Sequence, residues 1–531
     1  MDTGRPVGAT EVPSVSAGLS FKRHGGRRGC FDAGQVPSAG AGLSFKRRLR
    51  SRVRSAALAA AFGAALVAGA GAASANPFEV FGAGARGAAM GGAMTATAED
   101  WSALHYNVAA MAFQDTNMGF GLVTALDNAQ IRLKPRPAGY DLPNLGTNSA
   151  AIPSEFRLRP RVDTQDVIDL YGFFFGMVGS FGIDDLRVGA LIFTPVNRLG
   201  LQQTHFADER EQYASNQLHF ELLGARQQRQ VIMLGASWRL ADALSIGAGI
   251  SFLPKIEGVN RVYLDNPTDQ SDIEITLEND QSGRVAPVVG LMVKPAESLR
   301  FGLSWRGELF VSFDGVNEIQ VRGFQEQGEF PILQSIKVVQ NYTPHTFTFG
   351  AAFVEQDDLT VSLDATLALW SNYLNHQGER DQGFEDTISA RLGVEKRLSD
   401  AFELRAGLGF EPTPVPEQVG RTSYVDNDRV VASIGGGHPL PWMDGQVELS
   451  WVMQLHHLVA RDTDKASALA YPDCAPGVET LCDELPDDRP DPVTGLPVPE
   501  HEGLQTGSPG FPGFQSFGQI LSVGLDLRWK F

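Results

Sequence analysis

The last twelve residues, Ile520–Phe531 (ILSVGLDLRWKF), constrain the chain more than any other stretch. Counted backward in steps of two, Phe531, Trp529, Leu527, Leu525, Val523 and Leu521 form one row; Lys530, Arg528, Asp526, Gly524 and Ser522 form the other. A period of two marks a strand with two unlike faces. In a soluble sandwich the apolar row points to a core, whereas in an outer-membrane barrel it points to lipid and the polar row lines the lumen. A strand ending the chain on Phe favours the barrel, provided the pattern recurs.

It recurs. Leu186, Val188, Ala190 and Ile192 alternate with Arg187, Gly189 and Leu191; Leu299, Phe301, Leu303 and Trp305 alternate with Arg300, Gly302, Ser304 and Arg306. The same holds for Leu244–Phe252, Leu359–Leu367, Leu404–Phe410 and Val447–Met453. Short, mostly acidic turns lead into these runs: 183–185, 241–243, 295–298, 356–358 and 399–401, with a longer sixth at 438–445. Between them lie longer polar links at roughly 127–168, 198–228, 255–282, 312–342, 374–385, 412–427 and 458–517. Seven long links alternating with six short turns join fourteen strands, with the short side periplasmic. The fold class is thus all-β: a fourteen-stranded antiparallel transmembrane β-barrel, closed because lipid offers an open sheet edge no hydrogen-bond partner. No stretch of the mature chain approaches the ~20 apolar residues of a membrane helix. Trp238, Trp305, Trp451 and Trp529 fall on apolar rows and are placed to form interfacial girdles.

The first 75 residues stand apart. Arg47–Arg54 is basic, Ser55–Ala72 is uncharged and rich in Ala, Leu and Val, and Ala73-Ser74-Ala75 supplies a small-residue cleavage site. This is the layout of a secretory signal peptide, with cleavage after Ala75. Upstream, Val12–Arg23 nearly repeats as Val36–Arg47, and a start codon assigned too early accounts for the block. The expected division is 1–75 extension and signal peptide, 76–113 an N-terminal plug (hatch), and 114–531 barrel. The whole chain carries a formal charge of −18, which argues against nucleic acid as a partner.

Asn76–Phe113 is dense in Gly and Ala and lacks a clean period of two. Its runs Gly82-Ala-Gly-Ala-Arg86-Gly-Ala-Ala-Met90-Gly91-Gly92-Ala, Thr95–Asp100 and Ser102-Ala-Leu-His-Tyr106-Asn107 resemble the FadL-type outer-membrane transporters of long-chain fatty acids and other hydrophobic compounds (the OmpP1/FadL/TodX family). Leu299–Arg306, Ala368–Ser371 and Val425–Arg429 add to the resemblance, which spans nearly all of the mature chain. The family usually reads Tyr-Asn-Pro-Ala-Gly at the end of this segment; here Asn107 is followed by Val108, Ala109 and Ala110. The resemblance implies fourteen strands, a hatch inside the lumen carrying Gly91, Gly92, Tyr106 and Asn107, and a monomer in the outer membrane. It also implies passive uptake of long-chain fatty acids or similar hydrophobic molecules. The family lines its ligand site with the mature N-terminus, which makes Phe78 and Phe81 candidates. Aromatic-hydrocarbon passage, or service as a scaffold or shuttle for secreted proteins, are the alternative functions.

A hydrophobic acid needs an apolar channel for its tail and a cation for its head. Strand parity turns Arg187, Arg300, Arg306, Arg391 and Arg405 inward, and the last four are the candidate head-group residues. Arg391 is expected beside inward Glu395; alternatively, such arginines brace the lumen by pairing with acids such as Asp364, Glu395 and Glu448. In the last long link, Cys474 and Cys482 are spaced to close a small disulfide ring, while the acids around them lack the regular calcium-loop pattern. No metal or other cofactor is expected. Nor is an enzyme: Ser450 and His456 share the inward row, but six residues along a strand is about 20 Å, and no hydrolase or phosphate-loop motif occurs in the mature chain.

Overall fold

A computed structural model describes residues 77–134, 168–196, 205–206, 218–219, 230–265, 272–321, 332–355, 358–375, 378–380, 383–418, 424–440, 446–465 and 513–531. They contain twenty strands, numbered in chain order. The first ten are β1 (Asn117–Leu133), β2 (Ile168–Gly179), β3 (Leu186–Pro195), β4 (His205–Phe206), β5 (Leu218–His219), β6 (Val231–Ala241), β7 (Leu244–Leu253), β8 (Ile256–Asp265), β9 (Asp272–Gln281) and β10 (Arg284–Ala296). The second ten are β11 (Leu299–Arg306), β12 (Leu309–Val321), β13 (Ile332–Thr343), β14 (Thr346–Glu355), β15 (Leu359–Ala368), β16 (Thr387–Ser399), β17 (Phe402–Glu411), β18 (Arg429–Pro439), β19 (Val447–Asp464) and β20 (Gly513–Lys530).

Fourteen of these close into a barrel in the order β1-β2-β3-β6-β7-β10-β11-β14-β15-β16-β17-β18-β19-β20. Closure is made by β1 against β20, antiparallel from Asn117↔Lys530 to Leu133↔Phe514. The alternation decides which face is which. On β20, Val523 and Leu525 are 44% and 47% exposed, whereas Ser522 and Asp526 are buried at 1% and 6%. An inside-out pattern of this kind, apolar residues outward and polar residues enclosed, suits a lipid-facing wall. Trp238 is exposed on this outer face, and Trp305 stacks against His345 and Phe347 beside the long links.

Two long links carry more structure than their polarity predicts. Within 255–282 and 312–342, β8, β9, β12 and β13 form a second sheet in the order β13-β12-β9-β8. Ile273, Ile275 and Leu277 alternate with Glu274, Thr276 and Glu278, a strand pattern masked by the high overall charge. Likewise β1 runs on to Leu133, β19 to Asp464, and β20 begins at Gly513, so the wall extends beyond the span expected for the membrane on one side.

Residues 77–113 lie inside the barrel. They form α1 (Pro77–Phe81), α2 (Gly84–Ala89), α3 (Ala103–Tyr106) and a 3-10 turn over Val108–Phe113. Room for them comes from a belt of glycines on the inner wall, many paired across neighbouring strands: Gly189↔Gly235, Gly235↔Gly249, Gly247↔Gly290, Gly302↔Gly350 and Gly393↔Gly407. A Cβ at Gly302 would stand 2.2 Å from the Thr95 carbonyl oxygen, and one at Gly407 would stand 2.2 Å from the Gly91 nitrogen. Backbone meets backbone at both points, so neither position has space for a side chain.

Candidate functional site

The inner segment is held by side chains of the wall that complete its loose backbone groups. Asp526 accepts from the Ala85 N–H at 2.6 Å, and Asp364 from the Thr95 N–H at 2.9 Å. Ser433, Gln454 and Ser245 donate to the carbonyls of Ala89, Ala88 and Ala109 at 2.7–2.8 Å. Trp101 fills the space over Gly119 and Gly176 and packs on Phe174 at 4.9 Å.

The motif residues have separate tasks. Gly91 and Gly92 turn the chain at φ +64° and +82°, a left-handed geometry that glycine adopts without penalty. The Tyr106 hydroxyl accepts from the Ala83 N–H at 2.9 Å, and its ring lies over Gly87. Asn107 is completely buried; it accepts from the Ala109 N–H and donates to the carbonyls of Thr95 and Leu291 at 2.9 and 3.0 Å. Val108 is therefore the first residue of a turn that Asn107 already caps. The first residue of a helical turn has no internal partner for its N–H, which is why proline is accepted there and why Val replaces it without loss of the turn.

At the short-turn end, Arg86 of the inner segment makes a two-pronged pair with Glu395, both bonds 2.8 Å. Arg405, fully buried, bonds Glu395 at 2.6 Å, Glu403 at 2.7 Å, Glu448 at 2.9 Å and the Ser450 hydroxyl at 2.9 Å. Arg528 reaches Glu448 and lies 3.7 Å from Asp100. Arg300 pairs with Glu99, also on the inner segment, and Arg187 donates to the Gln114 carbonyl at 2.8 Å. A polar cleft of about 370 Å³ opens beside this network, lined in part by Arg86, Arg300, Arg528 and Lys530.

Toward the long links the inside changes character. Arg306 donates to Glu79 of α1 at 2.7 Å and lies 3.2 Å from His105 Nδ1. Burial, then the neighbouring Arg306 and Arg391 charges, hold the His105 pKa well below its usual value, so the ring is neutral and Nδ1 accepts from Arg306. Arg391 pairs with Glu411 at 2.6 Å rather than with Glu395, and Arg429 takes the other Glu411 oxygen. The sequence expectation failed because Glu395 stands four residues along the same strand, about 13 Å away, whereas the register of β16 on β17 sets Glu395 opposite Arg405. Beside these ions Phe81 packs with Ala125, Leu170, Leu458 and Ile520, and its ring meets His456 edge-on at 5.5 Å. A cavity of about 50 Å³ remains, lined by residues including Phe81, Arg306, Arg391, Glu411 and Gln454.

All four candidate arginines thus face inward, each with an acidic partner. Arg306 and Arg391 front the small cavity, whereas Arg300 and Arg405 stand at the other end. Phe78 lies in α1, its side chain outside the described residues, as are Cys474, Cys482 and the signal-peptide region. Glu79, Glu411, Arg429 and His105 emerge only from the structure; strand parity would have flagged Arg429, two residues before inward Val431, but nothing local marks Glu79. Ser450 and His456 do not converge: the serine bonds Glu448 and Arg405, the histidine Gln454.

The molecule is thus a closed antiparallel barrel with a lipid-facing exterior and a lumen occupied by its own N-terminal segment, the build of an outer-membrane transport protein. The family model for outer membrane transport proteins (OmpP1/FadL/TodX) matches residues 222–451 of the chain. It spans the outer membrane as a multi-pass barrel. A FadL homologue from Pseudomonas aeruginosa shares the fold at a TM-score of 0.51 and 14% identity, over 87% of this chain and all of that one. The toluene transporter TodX of P. putida matches at 0.44 and 13% over 85% and 99%, and the toluene transporter TbuX of Ralstonia pickettii at 0.42 and 12% over 86% and 100%. No curated protein sequence matches.

Proposed function

We propose that the protein takes up long-chain fatty acids or similarly hydrophobic molecules across the outer membrane, as a monomer and without an energy source of its own, with residues 77–113 acting as the hatch. The observation that carries this reading is the apolar chamber that Ala125, Leu170, Leu458 and Ile520 form around Phe81 at the long-link end of the lumen, beside the cavity fronted by Arg306 and Arg391. A water-filled pore has no use for such a surface, and an apolar ligand does. Phe81 fills the chamber, and the cavity beside it, about 50 Å³, is a third of an apolar cavity of ~150 Å³ that takes benzene. Entry of a ligand therefore requires withdrawal of α1. Arg306 and Arg391 stand where a polar head would arrive, whereas Arg300 and Arg405 brace the hatch. Because Phe81 places a benzyl ring in the chamber, a monoaromatic hydrocarbon is the second ligand class that fits.

Lipid extraction and mass spectrometry on protein purified from outer membranes, beside a Phe78→Ala/Phe81→Ala variant, test the reading. Enrichment of one ligand class over an unrelated barrel, altered in the variant, is expected. No enrichment in either protein would overturn it and turn attention to copurifying proteins, as a scaffold or shuttle would show.

A further inference from the structure

Resting on the uptake reading, we infer that His456 is the polar contact of the chamber, and that it selects ligands whose head group donates a hydrogen bond, an alcohol, a phenol or a protonated acid, over heads that only accept. His456 is 0% exposed, and its Nδ1 has no hydrogen-bond partner among the described residues. A buried polar atom left in this state costs free energy unless something supplies its partner. The polarity of that atom follows from the hatch. Gln454 Nε2 donates to the Ala88 carbonyl at 2.7 Å, which turns its amide oxygen toward the imidazole. His456 Nε2, 3.4 Å from that oxygen, then carries the ring hydrogen. A neutral imidazole has one hydrogen, so Nδ1 presents a lone pair.

Its surroundings place this lone pair at a binding site. Phe81 covers the ring, Ile520 lies opposite it across β20, and Val431 opposite it across β18. Three of its neighbours, Phe81, Val431 and Gln454, line the 50 Å³ cavity. Withdrawal of Phe81 uncovers an acceptor beside an apolar wall. The nearby ions bond one another and not the imidazole: Arg306 pairs with Glu79, and Arg391 and Arg429 take the two oxygens of Glu411. A carboxylate would face the Nδ1 lone pair. The head group that fits is neutral and carries an O–H.

Competitive displacement of a fluorescent apolar probe from the purified full-length protein, with 1-decanol, its methyl ether and decanoate, tests this. The three share a tail and differ in the head. One hydrogen bond to an otherwise unpaired buried acceptor corresponds to about tenfold in affinity, so decanol should displace the probe at about a tenth of the ether concentration, with decanoate at pH 8 weaker than decanol. In His456→Leu the alcohol-to-ether ratio should fall to about one. Gln454→Leu, which keeps the imidazole but frees its tautomer, should leave a ratio of about two to three. Equal displacement by alcohol and ether in the wild type, a comparison that needs no variant to fold, would overturn the role of His456 and leave uptake standing. Displacement by none of the three would overturn both.

Discussion

The two parts of the inner segment are held in opposite ways. From Ala83 to Phe113 the chain is clasped: wall carboxylates, hydroxyls and amides bond its backbone, the glycine belt admits it to backbone contact, and Arg86 locks it to Glu395. The tip, α1, is held by the ion pair of Glu79 with Arg306, partly open to water, and by Phe81 packed on His456 and the apolar wall. The first arrangement resembles a domain core and the second a latch. A hatch need not move as a whole; a fixed body lets a short tip move without opening the barrel to water.

The comparison breaks most readily at Glu395. Glu395→Gln leaves Arg86 without its carboxylate while Arg405 keeps Glu403 and Glu448, and an uncompensated buried charge costs about 3–5 kcal/mol. A much lower temperature for loss of the heat-resistant folded form on gels is expected, together with faster proteolysis within residues 83–113. Unchanged stability would show that the body is not locked by charge.

Next in size is the roof over the chamber. Asp426, in the link between β17 and β18, accepts from the Thr413 hydroxyl at 2.5 Å, while Asn427 bonds the carbonyls of Val459 and Ser516. Burial pushes the Asp426 carboxyl up to about 6, against the pull of its Thr413 bond. A raised carboxyl pKa means that the folded link binds its proton more tightly than the unfolded one does. Its stabilisation is complete below about pH 4 and is lost as pH rises through 6, an effect of up to about 3 kcal/mol. Amides of 413–418 and 424–428 should therefore be better protected from exchange at pH 5 than at pH 8, after correction for intrinsic rates, and Asp426→Asn should remove the difference. Equal protection at both pH values in the wild type would mean that the carboxyl is not so perturbed.

Gly407→Ala probes the belt. Its Cβ would meet the Gly91 nitrogen at 2.2 Å, so backbone must shift, at about 1–3 kcal/mol. Gly409→Ala is the control: it has the same parity on the same strand, and its nearest contact would be an ordinary 3.6 Å. Equal loss in both variants would assign the cost to strand propensity and not to the hatch.

The difference between Gly407 and Gly409 also marks how far the sequence could be read. Both fall in the polar row of Leu404–Phe410, and a period of two suffices to turn both inward. Which of them meets the hatch depends on Gly91, which strand pairing and the hatch fold bring to one and not the other. The same limit explains Arg391: parity turned it inward, but its acid lies across the β16–β17 register, where inter-strand spacing of about 5 Å outweighs nearness in sequence. The strand count, the sidedness of the turns and the direction of the arginines are local properties and were legible. The partners of those arginines, and the polarity of His456 Nδ1, are set by residues brought together only on folding. The hairpins of β8–β9 and β12–β13 were missed for a different reason, since charge on one row hid the alternation of the other.

The smallest effect bears most directly on function. Glu79 and Arg306 are 33% and 20% exposed at their side chains, a partly solvated pair worth about 1 kcal/mol or less. Breaking it cannot unfold the protein, but a short tip responds to that amount. Glu79→Gln should leave melting unchanged and raise the population with α1 withdrawn by up to about fivefold, the Boltzmann factor for that energy. The rate of probe uptake into cells reads that population and trypsin accessibility of Arg86 reads movement of the body, so the two should differ: α1 moves while Arg86 stays protected. Arg306→Gln removes the same pair together with the bond to His105, so its effect should be at least as large, and the double variant should add nothing to it. If uptake rises only in step with Arg86 cleavage, the body travels with the tip, and the division of the inner segment into a clasp and a latch fails.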